Sequence, residues 1–179
     1  MSMLKTFYRI FTIADYEEEE AWLREQHKKG WKLVRMVPPC FFTFASCEPE
    51  DVIYRLDYKN SSQSAEYMQM LKDFGWEYIG DCVGWLYFRK PAQAAETEED
   101  GELFSENASR VEMVSRIVRT RMIPLGIIFL CCVVPNVLRV GSEGWTAFRI
   151  FFLAMFVIYV YLLVHCGVKL KRIRSRYEQ

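Results

Sequence analysis

Gly30-Trp31-Lys32-Leu33-Val34 returns as Gly75-Trp76-Glu77-Tyr78-Ile79, and what surrounds these two phrases decides how the first half of the chain folds. Tyr8-Arg9-Ile10 stands 22 residues before the first glycine, and Tyr54-Arg55-Leu56 stands 21 before the second. Downstream, Phe41-Phe42-Thr43-Phe44 is answered by Trp85-Leu86-Tyr87-Phe88. Marks that recur in the same order at nearly the same interval indicate an internal duplication.

Each copy opens on a strand rich in aromatic and branched residues, Lys5–Thr12 or Val52–Lys59. A helix follows. In the first copy Asp15 is placed as the N-cap, with Glu18 at capping-box spacing. In the second, Tyr67, Met70, Leu71 and Phe74 keep the i, i+3, i+4, i+7 spacing of a buried stripe. Both helices stop at a glycine, as a left-handed C-cap requires, and the tryptophan after it starts a strand. Pro38-Pro39 and Val83-Gly84 then break the chain before another short strand. Pattern alone leaves open whether Trp31–Ala45 and Trp76–Lys90 are hairpins or single bulged strands. The unit reads as βαβ, extended to βαββ, used twice with right-handed crossovers. That predicts a ferredoxin-like α+β sandwich over residues 1–90.

Such a sandwich covers one sheet face with helices and leaves the other open. Alternation places Tyr8, Ile10, Tyr54 and Leu56 on one face and Phe7, Arg9, Ile53, Arg55 and Asp57 on the other. The second set mixes apolar groups with charges and is the expected partner-binding face. Its plain alternative is a set of cross-strand ion pairs on a solvated sheet. Trp31 and Trp76, at matched positions, mark a candidate ligand pocket between sheet and helices. Their plain alternative is core packing.

The rest of the chain belongs to a different solvent. Met122–Val140 and Trp145–Leu170 are apolar runs that span about 28 and 39 Å as helices, against a hydrocarbon core of roughly 30 Å. Two apolar helices could pair as a buried hairpin, but nothing else in the chain is large enough to bury them. Net charge is zero yet unevenly spread: 12 basic and 14 acidic residues in Met1–Lys90, six acidic and no basic in Pro91–Ser109, 11 basic and three acidic from Arg110 on. An acidic, flexible linker is expected over 91–109, a basic juxtamembrane helix over 110–121 and a basic tail over 171–179. Arg116, Arg119 and Arg121 before the first run, and Lys169, Lys171 and Arg172 around the end of the second, suit anionic headgroups. Positive charge stays inside, so the expectation is a multi-pass cell-membrane protein with both termini and the soluble domain in the cytoplasm.

Chemistry is sparse by comparison. Glu17-Glu18-Glu19-Glu20 reads as the first turn of a helix rather than a cation site. His27 reads as a surface histidine, and His165 as an interfacial one rather than a proton carrier. Cys40, Cys47, Cys82, Cys131, Cys132 and Cys166 contain no C-x-x-C pair, so neither a metal site nor a disulfide framework is expected. G-x-S-x-G, H-E-x-x-H, P-loop and G-x-G-x-x-G motifs are absent from the sequence. The expectation is a binding module that is not an enzyme, with no cofactor and no direct nucleic-acid binding. A homodimer is compatible with two anchoring helices and an exposed sheet.

The series Glu20-Ala21-Trp22-Leu23, Gly30-Trp31-Lys32-Leu33-Val34, Phe44, Tyr54-Arg55-Leu56-Asp57-Tyr58, Gly75-Trp76-Glu77-Tyr78 and Trp85-Leu86-Tyr87-Phe88-Arg89-Lys90 resembles the bacterial family catalogued as domain of unknown function 2812. The likeness covers roughly Leu4–Pro91, and appended membrane spans are usual in that family. Its members resemble accessory proteins encoded beside PadR-like transcriptional repressors, mostly in Gram-positive bacteria. The resemblance implies a signalling or anti-repressor role at a membrane and carries over no catalytic residue. The alternative is a membrane-tethered domain that senses a small molecule or lipid.

Overall fold

A computed structural model describes residues 3–38, 41–58, 65–95, 101, 103, 107–138 and 146–177. The chain divides into two compact units, Met1–Ser109 and Arg110–Gln179. Residues 96–100, 102 and 104–106 of the expected linker over 91–109, and the connection Arg139–Gly144, lie outside the described residues.

The first unit runs β1 (Leu4–Tyr8), α1 (Tyr16–Lys28), β2 (Trp31–Val37), β3 (Phe41–Ser46), β4 (Val52–Tyr58), α2 (Ala65–Asp73), β5 (Glu77–Cys82) and β6 (Trp85–Pro91). These strands form two three-stranded sheets, ordered β1-β3-β2 and β4-β6-β5, with every ladder antiparallel. The segments after each Gly-Trp are therefore hairpins. Each third strand inserts between the two that the helix connects. The expectation of a single sandwich is corrected accordingly: two separate sheets form.

Local chemistry explains the matched ends of the helices. Gly30 and Gly75 have φ of +84° and +82°, and their N–H groups close back on the His27 and Lys72 carbonyls at 2.9 Å. Past each glycine the edge strand bulges at an equivalent place, between Leu33 and Arg35 and between Tyr78 and Gly80. The first strands align differently from the sequence marks. Phe7 pairs with Phe42 while Asp57 pairs with Leu86, so Tyr8 corresponds to Tyr58 rather than Tyr54. Asp15 occupies the N-cap position without capping. Its carboxylate accepts instead from the Thr12 N–H at 2.8 Å and the Thr12 hydroxyl at 2.6 Å.

Helix α1 serves both sheets. Its Trp22 packs against Phe7, Phe42 and Phe44 of the first, while Glu19, Glu20 and His27 reach residues of the second. Helix α2 covers the opposite face of the second sheet through Leu71, with Tyr67 and Met68 beside it, over Ile53, Trp76, Leu86 and Phe88. Met70 and Phe74, expected in that stripe, are exposed. Strand β4 is thus buried on both faces, whereas in strand β1 only Phe7 is even half-buried. Ala92, Ala95 and Leu103 pack on the same cluster, so these parts of the expected linker belong to the core.

The second unit is a pair of helical runs. Segments α3 (Asn107–Ile117), α4 (Ile123–Ile128) and α5 (Val134–Leu138) are joined by π-helical turns at Val118–Met122 and Phe129–Val133. Each wide turn lies just before a proline, Pro124 or Pro135, whose missing N–H and bulky ring a regular turn would not accommodate. Side chains take up nearby carbonyls: Thr120 donates to Arg116 at 2.8 Å and Asn136 to Cys132 at 2.6 Å. Helix α6 (Thr146–Tyr177) returns, with Phe129 against Phe156 and Tyr159. Arg110 donates to the Tyr177 hydroxyl at 2.6 Å, which brings the start of α3 to the end of α6. Two candidate spans, Ser109–Leu138 and Ile150–Tyr177, have mean hydropathies of 2.0 and 2.3, and only 11% and 6% of their apolar windows are buried. A buried soluble hairpin would show the reverse. The expected basic helix over 110–121 continues directly into the apolar part of the first candidate span.

Candidate functional site

The five residues expected on an open face do not form one. Phe7 and Arg9 belong to the first sheet and its continuation, Ile53, Arg55 and Asp57 to the second. Ile53 is 7% exposed and Asp57 3%, both beneath α2, where Tyr67 donates to Asp57 at 2.9 Å. Arg55 is half-buried and pairs with Glu20 at 3.3 Å. Phe7 meets Trp22 and Trp31 edge-on, and the Arg9 guanidinium lies 5.0 and 5.2 Å from the Phe11 and Trp22 ring centroids. The expected common faces do not exist across two sheets: on the first, Phe7 is on the covered side and Tyr8 and Ile10 are exposed, and on the second both Tyr54 and Ile53 are buried. The exposed face of the first sheet carries Leu4 and Tyr8 on β1 with Phe41 beside Tyr8 on β3, and Ile10 continues it.

Trp31 and Trp76 do not share a pocket either. Trp31 stacks at the edge of Phe7 with the Lys5 ammonium 5.5 Å away. Trp76 forms the buried floor of an open groove of about 550 Å³ between α2 and β5, walled by Met68, Lys72, Tyr78 and Phe88.

A second set of polar groups converges where α1 meets the second sheet, and sequence reasoning did not find it. Glu19 and His27, each 6% exposed, point into the interface. Glu19 Oε1 accepts from the Tyr87 hydroxyl at 2.6 Å. Burial pushes its carboxyl up to about 7, the Tyr87 hydrogen bond opposing and Asp15 adding to the shift. Glu20 accepts from the Leu56 N–H at 2.7 Å. His27 Nδ1 sits 2.8 Å from the Tyr54 hydroxyl, which itself accepts from the Leu33 N–H at 3.3 Å. Burial, then the charges of Arg89 and Lys32, hold His27 down to about 4, so the ring is neutral, and its tautomer sets which of the two groups donates. Arg89 donates to the Leu33 carbonyl at 3.1 Å and pairs with Glu77, which it holds below the usual carboxylate range. A four-glutamate run carries no sign of which members face inward; the helical period relative to Leu23 was the available clue.

Beside this junction lies a cavity of about 140 Å³ between the sheets, with Glu19 and Tyr87 in its wall. Its apolar lining includes Phe11, Met36, Phe41, Phe42 and Trp85; Arg9, Thr12 and Cys82 are polar. Burial raises the Cys82 thiol, with Glu19 contributing. The lip is the β5–β6 turn, where Val83 has φ of +50° and Gly84 +89°. A branched residue in left-handed backbone is strained, and such strain collects at sites where shape matters. Among the described residues no group of three or more His, Cys, Asp or Glu is placed to hold a metal ion. Cys47, Cys82, Cys131, Cys132 and Cys166 are free thiols.

Comparison with known proteins gives one match. A family described as a protein of unknown function, DUF2812, matches residues 15–125. No curated protein and no solved structure matches the chain. The matched segment begins later than Leu4 and runs on into the first candidate span.

Proposed function

We propose that this chain, which belongs to the DUF2812 family, is a membrane-anchored signalling module that acts by binding a regulatory protein rather than by turnover. The helical pair is the anchor. Its basic flanks favour the inner leaflet, which sets the soluble unit and both termini in the cytoplasm, at the cell membrane. Arg116, Arg119, Arg121, Lys169, Lys171 and Arg172 contact anionic headgroups there, each worth about 1 kcal/mol near the surface. The partner is a PadR-like repressor, the class of regulator that the family resemblance implies, held at the membrane away from DNA. The matched glycines and bulges support reading the soluble unit as a tandem βαββ duplication in which one copy keeps an uncovered face for docking.

The observation that carries this reading is that face: Leu4, Tyr8, Ile10 and Phe41 are large, apolar and exposed, in a unit whose second sheet is covered on both sides. Affinity purification of the full-length protein from native membranes, with quantitative mass spectrometry, tests it. A DNA-binding regulator should appear in near-stoichiometric amount and vanish with Tyr8→Lys plus Phe41→Lys. Recovery alone, or only with a second copy, sinks the docking reading. A second reading, a tethered domain that senses a small molecule or lipid, is favoured by the Trp76 groove and by the Glu19 cavity.

A further inference from the structure

We propose that the cavity between the two sheets binds a small organic ammonium ion with an aromatic or branched apolar body, with the Glu19 carboxylate as its counter-charge. The inference deepens the ligand-sensing reading by naming a ligand class, and rests on it. Size comes first. A cavity of roughly 150 Å³ is enough to take up a benzene ring, and this one measures about 140 Å³. Five aromatic residues, Phe11, Phe41, Phe42, Trp85 and Tyr87, are in its lining, and aromatic rings attract organic cations.

Among the described residues lining the cavity, Glu19 is the one acidic group. Tyr87 fixes one of its oxygens at 2.6 Å and stays protonated, since burial and Glu19 itself push the phenol well above its ordinary value. The other groups around Glu19 are Asp15 at the start of α1, Cys82 from β5 and Arg9 beyond β1. Asp15 is engaged by Thr12, and Cys82 is a neutral thiol. The Arg9 charge rests over the Phe11 and Trp22 rings. An ionised carboxylate without a counter-charge in this setting is costly, so Glu19 keeps its proton through mildly acidic pH and is about half ionised at pH 7. Entry of the cation supplies the missing charge. Glu19-COOH and R-NH3+ become a carboxylate–ammonium pair, and one proton leaves to solvent.

The test uses the full-length protein in detergent micelles with three probes of one shape: benzylamine, benzyl alcohol and benzoate. Calorimetry in buffers of different ionisation enthalpy reads both affinity and proton release. Benzylamine should bind best of the three and release a proton below pH 7. Its affinity should rise about tenfold between pH 6 and pH 8 as Glu19, titrating at about 7, ionises. Glu19→Gln keeps an acceptor for Tyr87, so it should weaken benzylamine by about tenfold at pH 8 and leave benzyl alcohol unchanged. Equal binding of the alcohol, or preference for benzoate through Arg9, overturns the ammonium assignment and leaves a ligand site standing. Binding of none of the three removes the inference together with the cavity's support for ligand sensing. Proton release by the unmutated protein decides the matter even where the variant unfolds.

Discussion

Gly30 and Gly75 adopt the same left-handed backbone, yet they differ in what surrounds them. A Cβ on Gly30 would meet the Cys47 carbonyl at 3.0 Å, whereas one on Gly75 would meet only the end of Lys90 at 3.6 Å. Gly75→Ala should cost about 1 kcal/mol from backbone strain, and Gly30→Ala roughly 2–3 kcal/mol because a carbonyl must also move. Denaturant titration of the two variants checks the difference; equal losses would show that backbone strain alone matters. At the β5–β6 turn the reverse change helps. Val83→Asn should stabilise by about 0.5–1 kcal/mol, since Asn-Gly suits a turn with two positive φ values; a lower unfolding midpoint would contradict it. The buried pair on α1 predicts opposite pH slopes. Unfolded His27 gains its proton near 6.5 but the folded ring only near 4, so its contribution to stability is lost as pH falls through that window. Folded Glu19 keeps its proton up to about 7 while the unfolded chain releases it near 4.5, so its contribution is lost as pH rises between them. His27→Gln should flatten the acid limb of the stability profile and Glu19→Gln the other. Neither slope was legible in the sequence, because a glutamate run and a lone histidine at a helix end look solvated until a second sheet is packed on them.

Helix α1 is the element on which the soluble unit depends. It presents Trp22 to the first sheet and Glu19, Glu20 and His27 to the second, and its Arg24 forms a two-point pair with Asp51 at 2.6 and 2.7 Å just before β4. Helix α2 covers one sheet only. Trp22→Ala should therefore destabilise by roughly 3–5 kcal/mol. Hydrogen exchange should show the loss spreading into β4 and β6, although the aromatic rings packed on Trp22 are those of Phe7, Phe11, Phe42 and Phe44. Protection lost in β1–β3 alone would mean that the two sheets fold independently. The element types and their order were readable from aromatic strands, the apolar period of the helices and the glycine stops. The pairing of β1 with β3 and β4 with β6 was not, because βαβ periodicity does not say whether a third strand enters the gap. That omission also misaligned the duplication by four residues at its first strand.

For the whole molecule the proposed topology makes a direct prediction. Protease added to right-side-out vesicles should leave the soluble unit intact, while in inverted vesicles it should release the unit from its anchor; the opposite pattern would reverse the proposed orientation. What the sequence determined by itself was the order of strands and helices in the first half, the two apolar candidate spans with their basic ends, and the family. These follow from composition and short-range period, which each segment carries alone. The tertiary structure decided which sheet face is covered, that α1 lies against both sheets, that Glu19 meets Tyr87 in the wall of a cavity, and that His27 meets Tyr54 elsewhere along the same helix. Those outcomes depend on contacts between residues tens of positions apart. A segment's own pattern defines two faces but holds no record of what will be packed against either.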